Sequence, residues 1–178
     1  MVRPSIQQDR LPDGRLHLQE GPIDLIIEAF GAAEEVARAY AAAAACFEGV
    51  LPGLVAELPA LRRQMDEGAA IAGPVACRMA DACAPHRGVF VTPMAAVAGA
   101  VADHVLAAMT AAADLKRAYV NDGGDIALHL QPGARFACGL VAELQHPRLN
   151  GQAVIAAETP IRAIATSARA TLTHGGRS

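Results

Sequence analysis

The uneven distribution of helix and strand patterns constrains this fold more than any other feature of the sequence. Short runs typical of β-strands dominate the last third of the chain. They are separated by four turn-forming pairs, Gly123-Gly124, Pro132-Gly133, Asn150-Gly151 and Thr159-Pro160. Alanine-rich stretches typical of helices dominate the first two thirds. This segregation predicts an α+β fold with a largely antiparallel sheet, rather than a doubly wound parallel one.

The individual elements follow from apolar periodicity, β-branched content and turn residues. We expect strands at residues 14–19, 23–28, 88–92, 118–121, 125–130, 135–143, 152–157 and 161–166. We expect helices at residues 32–48, at 52–65 with a break near Pro59, from Gly73-Pro74 to before Pro85, and at 94–113. The chain is read as a single domain over residues 1–178.

Composition limits both the core and the partners. Apolar residues make up 53% of the 178 residues but aromatic residues only 3%, which predicts close packing of small side chains.

The net charge of -3 comes without a basic stripe, so nucleic acid is a poor partner. The apolar runs are shorter than the roughly 18 residues of a membrane span, and the four cysteines have unrelated spacings. These features predict a cytoplasmic protein without membrane contact.

The segment most suggestive of chemistry is the polar turn between two predicted strands. Its residues are Asn121, Asp122, Gly123, Gly124 and Asp125. Adjacent glycines permit positive φ and let a ligand approach the main chain, while the amide and carboxylates supply polar groups. A plain hairpin turn is the competing interpretation, because Asn, Asp and Gly are common turn formers.

Two further segments could contribute to a ligand site. Thr92 precedes a predicted helix whose Ala and Gly residues, including Gly99, would let a flat ligand lie close, and Asp103 is a carboxylate within that apolar helix. Thr166 and Ser167 follow the last predicted strand and offer hydroxyls to phosphate oxygens. Ordinary small-residue packing and a frayed polar terminus are the competing interpretations. No metal ligands are assigned.

Taken in order, these segments resemble the ApbE-like superfamily, in its uncharacterised branch labelled as thiamine biosynthesis. The resemblance covers essentially the whole chain. The segments that carry it are Leu11-Pro-Asp-Gly-Arg-Leu-His-Leu18, Gly73-Pro-Val-Ala76, Thr92-Pro-Met-Ala-Ala-Val-Ala-Gly-Ala-Val-Ala-Asp103, Val120-Asn-Asp-Gly-Gly-Asp-Ile-Ala127 and Ile164-Ala-Thr-Ser167.

The resemblance implies a layered, T-fold-related domain that binds FAD or FMN, with Mg²⁺ and FMN transfer to a protein as the associated chemistry. It matches Gly123, Gly124 and Asp125 to a Gly-Gly-Asp turn, Thr166 and Ser167 to a Thr-Ser pair, and Gly99 and Asp103 to a helical motif. The implied cofactor-binding set is Thr92, Gly99, Asp103, Asn121, Gly123, Gly124, Asp125, Thr166 and Ser167. It also implies that a C-terminal strand and helix carrying a magnesium-binding aspartate are missing.

Three functions are therefore open from the sequence. The first is a flavin-nucleotide binding protein, with or without FMN transferase activity. The second is a non-catalytic subunit that binds a nucleotide or pterin-type ligand. The expected lack of the C-terminal metal-binding motif favours it, and so does Ala98, which stands at the lysine position of the helical motif. The third is a structural oligomer. We expect a homo-oligomer with a small-molecule nucleotide ligand.

Overall fold

A computed structural model describes residues 6–65, 70–86, 88–140 and 151–166. Its strands are β1 (Gln7–Arg10), β2 (Leu16–Glu20), β3 (Ile23–Phe30), β4 (Arg117–Asp122), β5 (Asp125–Leu130), β6 (Arg135–Leu140), β7 (Gly151–Ala156) and β8 (Ala163–Ile164). Its α-helices are α1 (Ala33–Phe47), α2 (Val50–Leu61), α3 (Pro74–Cys83) and α4 (Val97–Ala112). Short 3-10 turns cover Ala84–His86 and Pro93–Ala96.

The strands form one large sheet and one separate hairpin. The large sheet has six strands in the order β1-β2-β3-β4-β5-β8, and each neighbouring pair is antiparallel. Strands β6 and β7 pair with each other in a second, two-stranded sheet. The predicted α+β class with a mostly antiparallel sheet is confirmed.

Side-chain alternation along β4 and β5 divides the core into two layers. Ala118, Val120 and Ala127 belong to the main core, where α4 packs on the inner face of the sheet and α1 and α3 pack on α4. Tyr119 and Ile126 point the other way and pack with side chains of the β6–β7 hairpin. Strands β4 and β5 are therefore covered on both faces, and the inner face carries the helices.

One predicted strand is wrong. Residues 88–92 have the β-branched and aromatic content of a strand, but they form bends, and Val89 and Phe90 are 62% and 82% exposed. The Met65 N–H donates to the Val91 carbonyl, and no strand among the described residues pairs with this segment. Strand propensity largely measures packing against neighbouring strands, so it does not act where no neighbour is available.

Other boundaries also differ from the prediction. Helix α2 continues through Pro59 to Leu61, and α4 begins at Val97 because the preceding turn is 3-10. The predicted strand 161–166 is reduced to the two residues of β8, and β1 was not predicted. The predicted strand 135–143 begins as β6, while residues 141–143 lie outside the described part of the chain.

Two helical segments, Ala33–Leu61 and Pro93–Ala112, are long and apolar enough to cross a membrane by length and composition. Core helices pass the same test, and α4 packs against β4, β5 and α1 in this fold. Packing against the sheet accounts for part of this apolar composition, since 33% of the apolar window in Pro93–Ala112 is buried. The absence of membrane contact and the cytoplasmic location stay predictions.

Candidate ligand site at the β4–β5 turn

The turn between β4 and β5 is a tight two-residue hairpin. Asp122 and Asp125 pair across it, and the two central glycines have positive φ, 61° at Gly123 and 115° at Gly124. The side-chain Oδ1 of Asn121 accepts a hydrogen bond of 2.9 Å from the Gly124 N–H. Positive φ at both central positions matches the twist of the strands and favours glycine, so the hairpin interpretation of this segment is confirmed.

Asp122 is the most perturbed acid at this turn. It lies on the inner face of β4 with Ala118 and Val120, and its residue surface is only 9% exposed. Burial raises the pKa of Asp122 to about 7, the negative charges of Asp125 and Asp24 add to the rise, and the backbone N–H of Asp24 opposes it. The side chain can therefore exchange a proton near neutral pH.

Asp125 lies beside the first turn of α4. A Cβ built on Gly99 would be 4.0 Å from Asp125 Oδ2, so the absence of a side chain at Gly99 leaves room beside the carboxylate. Gly99 is the third residue of α4, and a negative charge near a helix N-terminus is favourable. Asp125 thus has a structural role in complementing the start of α4.

The segment after β8 reaches the same turn. The Thr166 hydroxyl donates to the Gly124 carbonyl oxygen at 3.3 Å, although the two residues are 42 positions apart in the chain. Ser167, its predicted partner, lies outside the described residues. We call the group that the fold brings together the turn cluster; its members are Gly99, Asn121, Asp122, Gly123, Gly124, Asp125 and Thr166.

Two predicted site residues are not brought to the turn by any described contact. Thr92 precedes the 3-10 turn, and its carbonyl accepts from the Ala95 N–H at 3.0 Å and from the Cys83 thiol at 3.5 Å. Asp103 lies one helical turn beyond Gly99; partial burial raises its pKa, and the positive charge of Arg78 on α3 opposes that rise. Within the described residues, neither side chain has a hydrogen bond or ion pair to residues 121–125.

The described residues do not by themselves fit a magnesium site. The turn cluster contributes two carboxylates, and no group of three or more His, Cys, Asp or Glu side chains in the described ranges could hold a metal ion. Magnesium requires near-octahedral oxygen coordination, and a carboxyl that is protonated near pH 7 is a poor ligand. Magnesium therefore has no part in the function proposed below.

Two buried acids were missing from the sequence prediction, and one of them, Asp122, belongs to the turn cluster. Asp122 was recognised as a polar turn residue but was not assigned to the ligand site. Glu20 ends β2 at 5% exposure, and its Oε2 has no hydrogen-bond partner among the described residues. The alternation of side chains along a strand could have identified both acids. Glu20 follows Leu16 and Leu18 on the buried face of β2. Asp122 follows Ala118 and Val120 on the buried face of β4.

The fold and the turn cluster define an α+β protein with an acidic glycine turn held against a helix start. A family model described as AbpE bacteria matches residues 8–178, and the chain belongs to that family. No curated protein matches the chain.

The resemblance to the ApbE-like superfamily is therefore wrong, because the family that matches is AbpE bacteria and no other family finding supports the resemblance. A Gly-Gly-Asp turn and a Thr-Ser pair are short motifs, and short motifs alone do not define a family. The expected loss of a C-terminal strand and helix rested on that resemblance and has no remaining basis. The site residues stand only on the geometry described above.

Proposed function

We propose that this protein binds a flavin nucleotide, FAD or FMN, at the turn cluster. The observation that supports the proposal is the convergence of three segments that are distant in sequence. The start of α4 at Gly99, the hairpin at Asp125 and the chain at Thr166 meet at one glycine-rich turn. Small-ligand sites typically contain a few polar groups that converge on the ligand. Here they converge beside glycines, where no side chain blocks the main chain.

The charge of the cluster indicates which part of the nucleotide it contacts. Asp122 and Asp125 would repel phosphate groups, so the phosphates are expected to lie away from the turn. The flavin ring instead has an N–H donor between two carbonyl acceptors. The Asp122 carboxyl gains or loses a proton near pH 7. Together with the Asp125 carboxylate and the Thr166 hydroxyl, it can match the donor and acceptors on that edge of the flavin ring.

The proposal is limited to binding. Transfer of FMN requires stabilisation of developing negative charge on phosphate, usually by cations or main-chain donors. The turn cluster supplies acids, and its Gly124 N–H already donates to Asn121. We therefore assign no catalytic step to these residues.

A pterin-type ligand is the second candidate, and the paired acids favour it. Asp122 and Asp125 lie directly opposite each other in the hairpin register. A pterin presents adjacent N–H donors along one edge, and one ionised carboxylate can accept from both of them. The two candidates thus differ in the protonation state that they require of the acidic pair.

Titration with FAD, FMN and pterin tests both candidates by ligand fluorescence, with little interference from a protein that has no tryptophan. Asp125→Asn should weaken binding about tenfold or more, because it removes a charged hydrogen-bond acceptor. Asp81→Asn, an exposed acid on α3, is the matched control and should bind as the wild type does.

Preference for flavins supports the first candidate, and preference for pterin supports the second. Binding that is equally strong in Asp125→Asn would contradict the proposed location. If none of the three ligands binds, both candidates are wrong and the structural oligomer remains.

A further inference from the structure

The opposite end of β4 carries a groove that the proposed function does not use. It lies where the end of β3, the start of β4 and the turn between β5 and β6 meet, and its volume is about 600 Å³. Its lining includes Phe30, Gly31, Lys116, Arg117, Gly133 and Arg135. This volume lies within the range of small-molecule sites in proteins, roughly 300–1,000 Å³.

Three cations line this groove. Lys116 and Arg135 are exposed and Arg117 is half-buried. The ion pairs within the described residues join Arg15 to Asp13, His17 to Asp24 and Arg38 to Glu35, so none of them neutralises the groove. Acids near the groove make hydrogen bonds of their own: Glu158 Oε1 accepts from the Gly133 N–H at 3.2 Å, Asp114 Oδ1 accepts from the Gln131 side chain, and Glu35 accepts from the Asp114 N–H.

Arg117 is held in a fixed position within the groove. Its guanidinium carbon lies 4.1 Å from the ring centroid of Phe30 and 5.2 Å from that of Phe136. Its Nη1 donates to the Arg135 carbonyl oxygen at 2.8 Å. The aromatic faces stabilise the charge without neutralising it, and a guanidinium has five N–H donors, of which one has a hydrogen-bond partner among the described residues. The remaining donors are available to an oxyanion.

We propose that this groove, defined by Lys116, Arg117 and Arg135, is a binding site for the phosphate group of a small molecule. Three cations attract a multiply charged anion, and a planar guanidinium can hold two of its oxygens at once. The site is independent of flavin or pterin binding at the turn cluster, because the groove is lined by the start of β4 and the turn cluster lies at its end.

Calorimetric titration with pyrophosphate tests the site directly. The double variant Lys116→Gln/Arg135→Gln should weaken binding about tenfold or more, since two charge-assisted contacts are lost. Arg62→Gln/Arg63→Gln removes the same charge from exposed positions at the end of α2 and should change the Kd less than about threefold at 0.15 M salt, where distant charges are screened.

The variant Arg117→Lys distinguishes the contribution of the planar guanidinium from that of the positive charge. It retains the positive charge but removes the planar donor pair, and it should weaken pyrophosphate binding while Lys116 and Arg135 remain. Because both residues of the double variant are exposed, thermal unfolding should show that variant intact.

Succinate, a dianion without phosphorus, is the competing ligand. Pyrophosphate binding that is lost in the groove variants and retained in the α2 control supports the site. Absence of saturable binding, equal loss in both double variants, or equal affinity for succinate overturns it. Because no flavin or pterin is present in this titration, its failure leaves the turn-cluster proposal unaffected.

Discussion

Replacement of the buried acid at the turn should make the protein more stable at alkaline pH. The pKa of Asp122 is raised from 3.8 to about 7, chiefly by burial. The folded state therefore holds the proton more tightly than the unfolded state. This contribution to stability is fully present below pH 3.8 and is lost as pH rises through 7. Asp122→Asn keeps the shape of the protonated acid and removes this loss.

The magnitude follows from the two pKa values. At roughly 1.36 kcal/mol per pKa unit, the ionised side chain costs about 4 kcal/mol above pH 7. Linkage places somewhat less than half of that cost at pH 5, so roughly 2–3 kcal/mol appears between pH 5 and pH 8.5. For a chain of this length, this corresponds to a change in Tm of roughly 5–10 °C.

The assay is thermal unfolding of wild type and Asp122→Asn at pH 5 and pH 8.5. The variant should gain stability relative to wild type between these two pH values, and any constant offset from the new amide group cancels in the comparison. Asp81→Asn, an exposed acid on α3, should show no such pH dependence. If the Tm difference between Asp122→Asn and wild type is the same at both pH values, Asp122 ionises normally and is not buried as described.

Three further outcomes are expected. Asp125→Ala should lower the free energy of unfolding by only about 0.3–1 kcal/mol, from the lost charge beside α4, while it weakens ligand binding; complete unfolding would make Asp125 a purely structural turn residue. Gly124→Ala, at φ 115°, should cost about 1 kcal/mol or more in urea unfolding, and an unchanged midpoint would contradict the described turn. Light scattering should report a dimer or larger, because β8 is the last strand of the sheet among the described residues and Phe90 is 82% exposed; a stable monomer would contradict this.

Much of the fold was predictable because local patterns and tertiary structure agree. Leu16, Leu18, Leu25 and Ile27 alternate with more exposed residues, and this period of two identified β2 and β3. The Gly123-Gly124 pair indicated the hairpin turn between β4 and β5. Residues 88–92 show where prediction from local patterns fails, because strand propensity does not show whether a neighbouring strand is present.

The candidate site was only partly predictable. Glycines and acids identified the turn, but the contact between Thr166 and Gly124 depends on how β8 pairs with β5. The pKa of Asp122 depends on burial beneath α4, which a list of turn residues does not contain. The cationic groove was not predicted, because Lys116 and Arg117 lie at the start of β4 while Arg135 begins β6 in the separate hairpin, and these segments become neighbours only in the folded protein.

The start of α3 offers a test of the packing between helices that support the inner face. Glu57 on α2 accepts hydrogen bonds from the backbone N–H groups of Ala72 at 2.8 Å and Gly73 at 2.7 Å. A Cβ on Gly73 would collide with Glu57 Oε1, although Gly73 has φ -65° and ψ 144°, which alanine adopts readily.

Gly73→Ala should therefore destabilise the fold only by displacing the Glu57 carboxylate. Glu57→Ala and Gly73→Ala should each cost about 1–2 kcal/mol, and the double variant should cost little more than either single variant. Urea unfolding of all four proteins measures this coupling. Additive costs would show that Gly73→Ala acts through backbone strain or another neighbour. They would also show that the Glu57 carboxylate does not hold the start of α3 as described.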